Sequence, residues 1–247
     1  MRNNILRKRF RPTATWILLL CFFFSPVVLL AQSDSIEKVV IFPSPMKYEN
    51  WRASIGFSFL TTPEDIAEEA RLRVPAGELI VLRKIDEHFN LAGTLTFQVL
   101  QNHLTFGGRW VHKQTDHIYF SVGDDIGYWF GFLNVGGFDS KAHGWMNYLH
   151  ASLGLKLDKE LWLTLKGESS FNLSFKASNG ENVISSDKNV YNGEAFTVAL
   201  EQPFFHKKHL SLSLTGYYNY FHWETWSLFY RLKRKIFYPQ IKVGFIL

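Results

Sequence analysis

Strict alternation of apolar and polar residues on both sides of one polar turn is the clearest pattern in this chain. The turn is Asp158-Lys159-Glu160. Every second residue is apolar before it, over 151–157, and the series resumes over 161–175 with two small residues among its members. Alternation with period two around a short turn predicts a β-hairpin. With a few flanking residues, each arm is long enough to cross a bilayer, for which a tilted strand needs about 9–11 residues.

The same alternation recurs along the chain and predicts ten strands. They cover approximately 51–59, 75–85, 91–99, 104–110, 118–132, 151–157, 161–175, 196–200, 210–220 and 240–247. We interpret the fifth as one long strand that projects beyond the membrane, although Asp124-Asp125 within it also suits a turn. Thr62 and Pro63 suit the N-cap and first position of a short helix, predicted near residues 63–70. Eight strands is the alternative, if the fourth and fifth are loop structure.

The connections between the predicted strands sort by length. Those after strands two, four, six and eight are short. Those after strands one, five, seven and nine, which include 136–144 and 177–191, are long, and the connection after strand three is an exception. Short turns at one end, long loops at the other and an even strand count are typical of outer-membrane barrels. The pattern predicts an all-β fold, a transmembrane antiparallel up-and-down β-barrel. A soluble periplasmic β-protein is also compatible with the alternation.

The opposite face of the predicted strands is small or polar, which suits the interior of a narrow barrel. The charged members of this predicted lumen network are Arg52, Arg109, Lys156, Lys166, Glu168 and Lys242. Six aromatic residues lie near predicted strand ends, where membrane-interface girdles are expected: Trp51, Trp110, Trp145, Tyr218, Tyr220 and Trp223.

Residues 1–31 differ in composition from the rest. Five basic residues precede an apolar run from Trp16 to Leu30, and Ala31 follows, which is typical of a secretory signal peptide. Cys21 does not indicate a lipoprotein, because Leu20 precedes it where a small residue is expected. We predict a signal peptide at 1–31, a short periplasmic segment at 32–49 and the barrel at 50–247.

The leader also accounts for the basic charge of the chain. Of 27 basic and 22 acidic residues, five basic and no acidic ones lie in the leader, so the remainder is neutral with 22 of each. The basic isoelectric point therefore gives no support for nucleic-acid binding. No cysteine remains for disulfides or thiol catalysis, and no later apolar run reaches the roughly 18 residues of a membrane helix.

The last ten residues, Tyr238 to Leu247, alternate up to the C-terminus. Together with the leader and the strand pattern, they resemble the small outer-membrane β-barrel proteins of Gram-negative bacteria. This ending is similar to the C-terminal signal read by the barrel-assembly machinery, although Leu247 stands where that signal usually has an aromatic residue. The resemblance implies location in the outer membrane and contact with its lipid, lipopolysaccharide, the assembly machinery and periplasmic chaperones. It implies no activity and no cofactor.

His150 and Ser152 form the most suggestive catalytic pattern, because some outer-membrane lipid hydrolases use His-x-Ser as base and nucleophile. In those enzymes the pair faces outward and an asparagine follows the serine. Here the register turns both residues towards the lumen, and Leu153 follows the serine. We therefore expect lumen-lining residues and no catalysis.

Neither possible metal site is complete in the sequence. The lysines of His206-Lys207-Lys208-His209 repel a cation, so we expect a solvated turn there. Asp124-Asp125 offers two carboxylates without a loop of further oxygen ligands.

Two long loops carry opposite charge and become neighbours when the first and last strands pair. Acidic residues lie at 64–69, and Arg231, Lys233, Arg234 and Lys235 form a basic cluster. The basic cluster is a candidate for pairing across the seam or for binding lipopolysaccharide phosphates, and two independently solvated loops are the alternative.

The sequence as a whole favours an outer-membrane barrel of structural or interaction type without catalytic activity. The alternatives are a narrow pore for small solutes and a lipid-modifying enzyme that uses His150 and Ser152. A soluble periplasmic β-protein is the remaining alternative.

Overall fold

A computed structural model describes residues 39–42, 51–63, 73–135, 138–187, 190–204, 208–226 and 234–247. The predicted leader, the proline segment 43–45 and the predicted loop helix after Pro63 lie outside the described residues. No helix within the described ranges is both long enough and apolar enough to span a membrane.

Eleven strands account for most of the described residues. They are β1 (Trp51–Thr61), β2 (Arg73–Lys84), β3 (Phe89–Phe97), β4 (Gln101–Lys113), β5 (Ile118–Val135), β6 (Phe138–Lys156), β7 (Trp162–Asn179), β8 (Asn182–Asp187), β9 (Val190–Phe204), β10 (Lys208–Asn219) and β11 (Ile236–Ile246). One short 3-10 turn, Trp223–Thr225, lies between β10 and β11.

Ten of these strands, β1–β7 and β9–β11, close into an antiparallel barrel, in which they pair in chain order and β7 pairs with β9. β1 and β11 complete the closure, with seven residue pairs from Ser54–Ile246 to Leu60–Gln240. β8 lies outside the ring and pairs only with the far end of β7. The predicted up-and-down barrel of ten strands is confirmed, and β5 is one continuous strand through Asp124 and Asp125.

One end of the barrel carries four short connections, 85–88, 114–117, 157–161 and 205–207. Short turns mark the periplasmic end of such barrels, so this end is assigned to the periplasm. In the first turn, the Asp86 carboxylate accepts hydrogen bonds of 2.7 Å from the backbone N–H groups of His88 and Phe89. These bonds favour the charged form and hold the pKa of Asp86 below its usual range.

The opposite end differs from the prediction in two places. The long connections 62–72 and 220–235 are present, but 136–144 and 177–191 are mostly strand. β5 and β6 pair through to Val135 and Phe138, and β7 and β8 turn at 180–181, where Gly180 takes the left-handed backbone that a tight turn favours. The two segments are polar because their hairpins rise beyond the membrane into water. A smaller correction moves the turn after β3 to 98–100, so that Gln101 to His103 belong to β4.

The two faces of the barrel have opposite character. Large apolar side chains such as Phe57, Phe106 and Leu149 are more than half exposed on the outside, whereas Ser58 and Ser213 are buried inside. A closed ring of strands with a largely apolar exterior and a polar interior is the arrangement that crosses an outer membrane, because the central backbone groups are paired and mostly apolar side chains meet lipid.

Two aromatic residues predicted to face outward point inward. An irregularity in the β6–β7 register at Leu173 shifts the alternation by one residue, which turns Phe175 into the interior. Trp223, predicted in the outer girdle, is buried because its loop folds into the barrel. Trp51, Trp110, Trp145 and Tyr218 are exposed, between 45% and 56%.

Candidate functional site

Paired charges line the middle of the barrel interior. Lys242 of β11 lies 2.5 Å from Glu78 of β2, and Lys166 lies 2.7 Å from Glu168 on β7. A buried charge is tolerated when a partner is close, and removal of that partner leaves an uncompensated charge. These two pairs therefore match each charge in the middle of the interior with an opposite one.

A third cluster contains Arg109, Asp125 and His150. The Asp125 carboxylate oxygen Oδ2 is 3.3 Å from Arg109 Nη2 and 3.3 Å from His150 Nε2, and all three side chains are buried. His150 makes no hydrogen bond to Ser152 in the part of the chain that the structure describes. Asp124 lies on the opposite face of the strand and accepts from Asn147 at 2.5 Å, so the two adjacent carboxylates cannot share a calcium ion.

Four residues before the barrel, Val39–Phe42, occupy the interior at its periplasmic end. We call them the periplasmic plug. The buried carboxylate of Glu201 on β9 accepts from the backbone N–H groups of Val40, Ile41 and Phe42 at 2.7, 3.0 and 3.3 Å. One carboxylate therefore satisfies three successive donors of the plug.

Side chains complete the seat of the periplasmic plug. Arg52 donates to the Val39 carbonyl at 3.1 Å, and the Phe42 ring stacks on Trp162 with 5.9 Å between centroids. Gly154 leaves the space for this ring, because a Cβ there would lie 3.0 Å from it. The wall is shaped to the plug as well as hydrogen-bonded to it.

The opposite end is closed by the segment Tyr220–Trp226, which we call the outer cap. The fully buried Asn192 side chain donates to the Phe221 carbonyl at 2.9 Å and accepts from its N–H at 3.1 Å. The Glu224 carboxylate accepts from Gln98 at 2.8 Å and from Gln240 at 3.1 Å. These bonds fix the outer cap to β3–β4, β9 and β11.

An aromatic cluster packs the outer cap against the tall hairpins. Trp129 is fully buried, with its ring 5.4 Å from Phe221 and 5.6 Å from Phe175. Trp226 packs against Gly131, where a Cβ would lie 2.2 Å from the indole. The cluster comprises Trp129, Ala142, Met146, Tyr148, Phe175, Ala177, Phe221, Trp223 and Trp226.

A cavity of about 170 Å³ remains between the two closures, and we call it the chamber. Val40 and Ile41 of the plug and the cap residues 221–224 border it, together with the three charged clusters of the wall. A polar space of this size suits several water molecules, since one water occupies about 30 Å³ in the liquid.

The residues predicted for the lumen occupy different levels of the interior. Arg109, Lys166, Glu168 and Lys242 line the chamber, and Arg52 holds the periplasmic plug. Lys156 lies at the periplasmic end, with its Nζ 5.9 Å from the Trp162 ring centre. His209, predicted in a solvated turn, is buried at the start of β10, 3.9 Å from Glu160, because the strand begins one residue before it.

The predicted basic cluster is only partly described. Arg231 and Lys233 lie outside the described residues, and Arg234 is exposed. Lys235 pairs with both carboxylate oxygens of Glu194 on β9, at 2.7 and 2.9 Å, and lies 4.7 Å from the Tyr191 ring centre. The acidic residues of the first loop also lie outside the described residues.

Sequence reasoning missed both closures. The plug had a signal in the apolar run Val39 to Phe42 within a segment expected to be periplasmic, and the cap had one in the aromatic run Phe221 to Trp226. Glu201, the carboxylate that binds the plug, had no signal of its own. Its inward position follows from the alternation of β9, but its partners are distant in sequence.

Comparisons with known proteins return solved structures at low similarity. No family model and no curated protein matches the chain. The translocator domain of the autotransporter NalP from Neisseria meningitidis is 11% identical over 79% of this chain and 86% of that one, with a TM-score of 0.44. The COG4313 outer membrane channel from Pseudomonas putida F1 is 8% identical over 88% of this chain and all of that one, with a TM-score of 0.36. The KdgM porin, in complex with disordered oligogalacturonate, is 11% identical over 78% of this chain and 97% of that one, with a TM-score of 0.35.

The class of protein follows from the chain's own geometry. A closed ring of ten antiparallel strands, apolar outside and charged inside, with short turns at one end, defines a small outer-membrane β-barrel. Its interior is closed at both ends by segments of its own chain, Val39–Phe42 and Tyr220–Trp226.

Proposed function

We propose that this protein is an outer-membrane barrel of structural or interaction type that neither conducts solutes in its resting state nor catalyses a reaction. One observation carries the proposal: the periplasmic plug and the outer cap each fill the lumen with buried backbone and aromatic side chains. A pore for small solutes needs a continuous hydrated path, and both closures interrupt it.

The charged clusters between the closures support the same function. The three lysine and arginine side chains that line the chamber each lie beside a carboxylate, which is the arrangement of an interior stabilised by its own pairs. The His150 ring faces Asp125 and, within the residues that the structure describes, makes no hydrogen bond to Ser152, so His150 is not placed to activate the serine. Mass spectrometry of lipid A from cells with and without the protein is expected to show identical masses, and a mass change would contradict the absence of catalysis.

Conductance across planar lipid bilayers tests the closed state. The full-length protein is expected to give no current steps above those of a protein-free bilayer, although it inserts and shows heat-modifiable migration on gels. Stable current steps from the folded protein would contradict the proposal and favour the narrow pore.

A matched variant shows that the assay detects an open barrel. It lacks residues 39–42 and carries a glycine–serine linker in place of 221–226, so both closures are absent while all eleven strands remain. This variant is expected to conduct. Absence of current from a folded variant would place the obstruction in the wall pairs instead of the closures.

Contact with the outer leaflet is the interaction that we propose for the exterior. Lys235 is held between Glu194 and the ring of Tyr191, at the end of the barrel assigned to the outside. The neighbouring Arg234 is exposed and belongs to the same basic segment, which suits lipopolysaccharide phosphates. Arg234→Glu is expected to weaken binding to lipopolysaccharide micelles, and unchanged binding would contradict this contact.

A further inference from the structure

We infer that the periplasmic plug is a displaceable gate, which opens the chamber to the periplasm while the outer cap stays closed. The inference rests on the proposed function, because it requires an outer cap that closes the lumen independently. It goes further by assigning the two closures different roles.

Three hydrogen bonds of the plug share one acceptor. Val40, Ile41 and Phe42 all donate to the single carboxylate of Glu201. These three bonds form or break together, because one movement of the plug backbone changes all of them. Arg52 also donates to the Val39 carbonyl, so the plug is seated on two side chains, and its withdrawal releases both.

The two closures differ in how they are connected to the strands of the barrel. The plug precedes β1 and belongs to no strand of the barrel, so its withdrawal breaks none of the ladder pairs between β1, β2 and β11. The outer cap is joined to β10 on one side and β11 on the other. Asn192, Gln98 and Gln240 hold it on three further parts of the wall.

Withdrawal of the plug exposes the chamber and the Glu201 carboxylate. The plug residues Val40 and Ile41 form one border of the chamber, and Glu201 becomes available to water when its three N–H partners leave. The opened barrel then presents a dead-end polar pocket to the periplasm, with charged side chains on its wall. Water that hydrates Glu201 and the wall pairs offsets part of the lost hydrogen bonding. The free energy of the withdrawn state is therefore close enough to that of the seated state for the plug to open.

Cysteine accessibility tests the gate. The single cysteine of the chain is Cys21, in the predicted leader, so a cysteine placed in the chamber is a unique target. Ser213 on β10 is buried and lines the chamber, and Ser213→Cys changes only the side-chain atom at its tip. The rate at which a small cationic methanethiosulfonate modifies this cysteine, in the protein reconstituted in nanodiscs, reports how often the chamber opens.

Glu201→Ala should increase that rate about tenfold or more, the factor that corresponds to about 1.4 kcal/mol of lost plug binding. Phe42→Ala should also increase it, because it removes the ring that stacks on Trp162 and packs against Gly154. Glu87→Ala, at an exposed carboxylate in a periplasmic turn, is the matched control and should leave the rate unchanged. The planar-bilayer conductance of all three variants should stay at the level of the lipid alone.

The outcomes separate the gate from the proposed function. A modification rate that is unchanged in both Glu201→Ala and Phe42→Ala, with folding verified by heat-modifiable migration, overturns the gate and leaves the closed barrel intact. Current from the unsubstituted protein overturns the closed barrel itself. Current that appears only with the plug variants overturns the claim that the outer cap closes the chamber independently.

Discussion

The two closures of this barrel use similar chemistry but differ in how the chain supports them. In the periplasmic plug, Glu201 accepts from three backbone N–H groups, and in the outer cap Glu224 accepts from two glutamine amides. The plug adds the Arg52 bond to the Val39 carbonyl and the packing of Phe42 on Trp162 and Tyr119, whereas the cap adds a larger aromatic cluster and a strand at each end. We therefore infer that connection to two barrel strands and a larger number of anchors make the outer cap the fixed closure and the plug the displaceable one.

The largest effect is expected where the cap meets the wall. Trp129→Ala removes a fully buried ring that contacts both Phe221 and Phe175. Because the cap is connected to β10 and β11, it stays in the lumen and a cavity remains where the ring was. Substitutions of this kind cost about 3–5 kcal/mol. Urea unfolding in detergent micelles measures the loss. Trp145→Ala, at an exposed tryptophan on the outside of β6, is the matched control and should cost much less. Equal losses would contradict a cap packed into the lumen.

Asn192→Ala should have the next largest effect. It leaves the N–H and C=O of Phe221 without their partner in a buried position, and each unsatisfied group costs about 1–3 kcal/mol. We expect a loss of about 2–4 kcal/mol in urea unfolding. Asn134→Ala, at an exposed position near the tip of the β5–β6 hairpin, controls for the substitution itself and should be close to neutral. A neutral Asn192→Ala would show that the cap is held without this clamp.

The wall between the closures should respond more weakly. Lys242→Met removes the partner of Glu78, and water in the chamber partly compensates the exposed carboxylate. We expect a loss of about 1–3 kcal/mol, and the double variant Glu78→Gln with Lys242→Met should recover part of it. A double variant less stable than the single one would mean that the two side chains are not coupled to each other.

The plug should contribute least to global stability although Phe42 is as buried as Trp129. In Phe42→Ala the plug can leave the lumen, so the loss of unfolding free energy cannot exceed the free energy of plug binding, and we expect about 1–2 kcal/mol. Unfolding of Phe42→Ala and Trp129→Ala side by side measures the difference. A loss as large as that of Trp129→Ala would mean that the plug is part of the cooperative core.

The sequence predicted the parts of the structure that depend on local alternation. The ten strands, the turn at 158–160 and the inward position of Arg52 and Lys242 follow from period two, because a closed barrel repeats one rule around its ring. The alternation predicted the wrong face for Phe175, because a single irregularity at Leu173 reverses the alternation in the rest of β7. Such a reversal depends on pairing with β6 and leaves no periodic trace.

The closures were missed for a different physical reason. Glu201 and the plug are 159 to 161 residues apart in the chain, and their contact exists only because the barrel closes around it. Asn192 and Phe221 meet across the interior in the same way. Alternation shows which side of a strand faces the lumen, but it carries no information about which segment occupies that lumen.

Hydrogen exchange measured by mass spectrometry tests the difference between the two closures most directly. The N–H groups of Val40, Ile41 and Phe42 bond to Glu201, and that of Phe221 bonds to Asn192, so both sets are protected while their closures are seated. With intrinsic rates corrected, peptides covering 39–42 should exchange about tenfold or more faster than those covering 221–226, because the plug opens without unfolding of the barrel. Equal rates for the two segments, or faster exchange of the outer cap, would contradict a fixed cap and a displaceable plug.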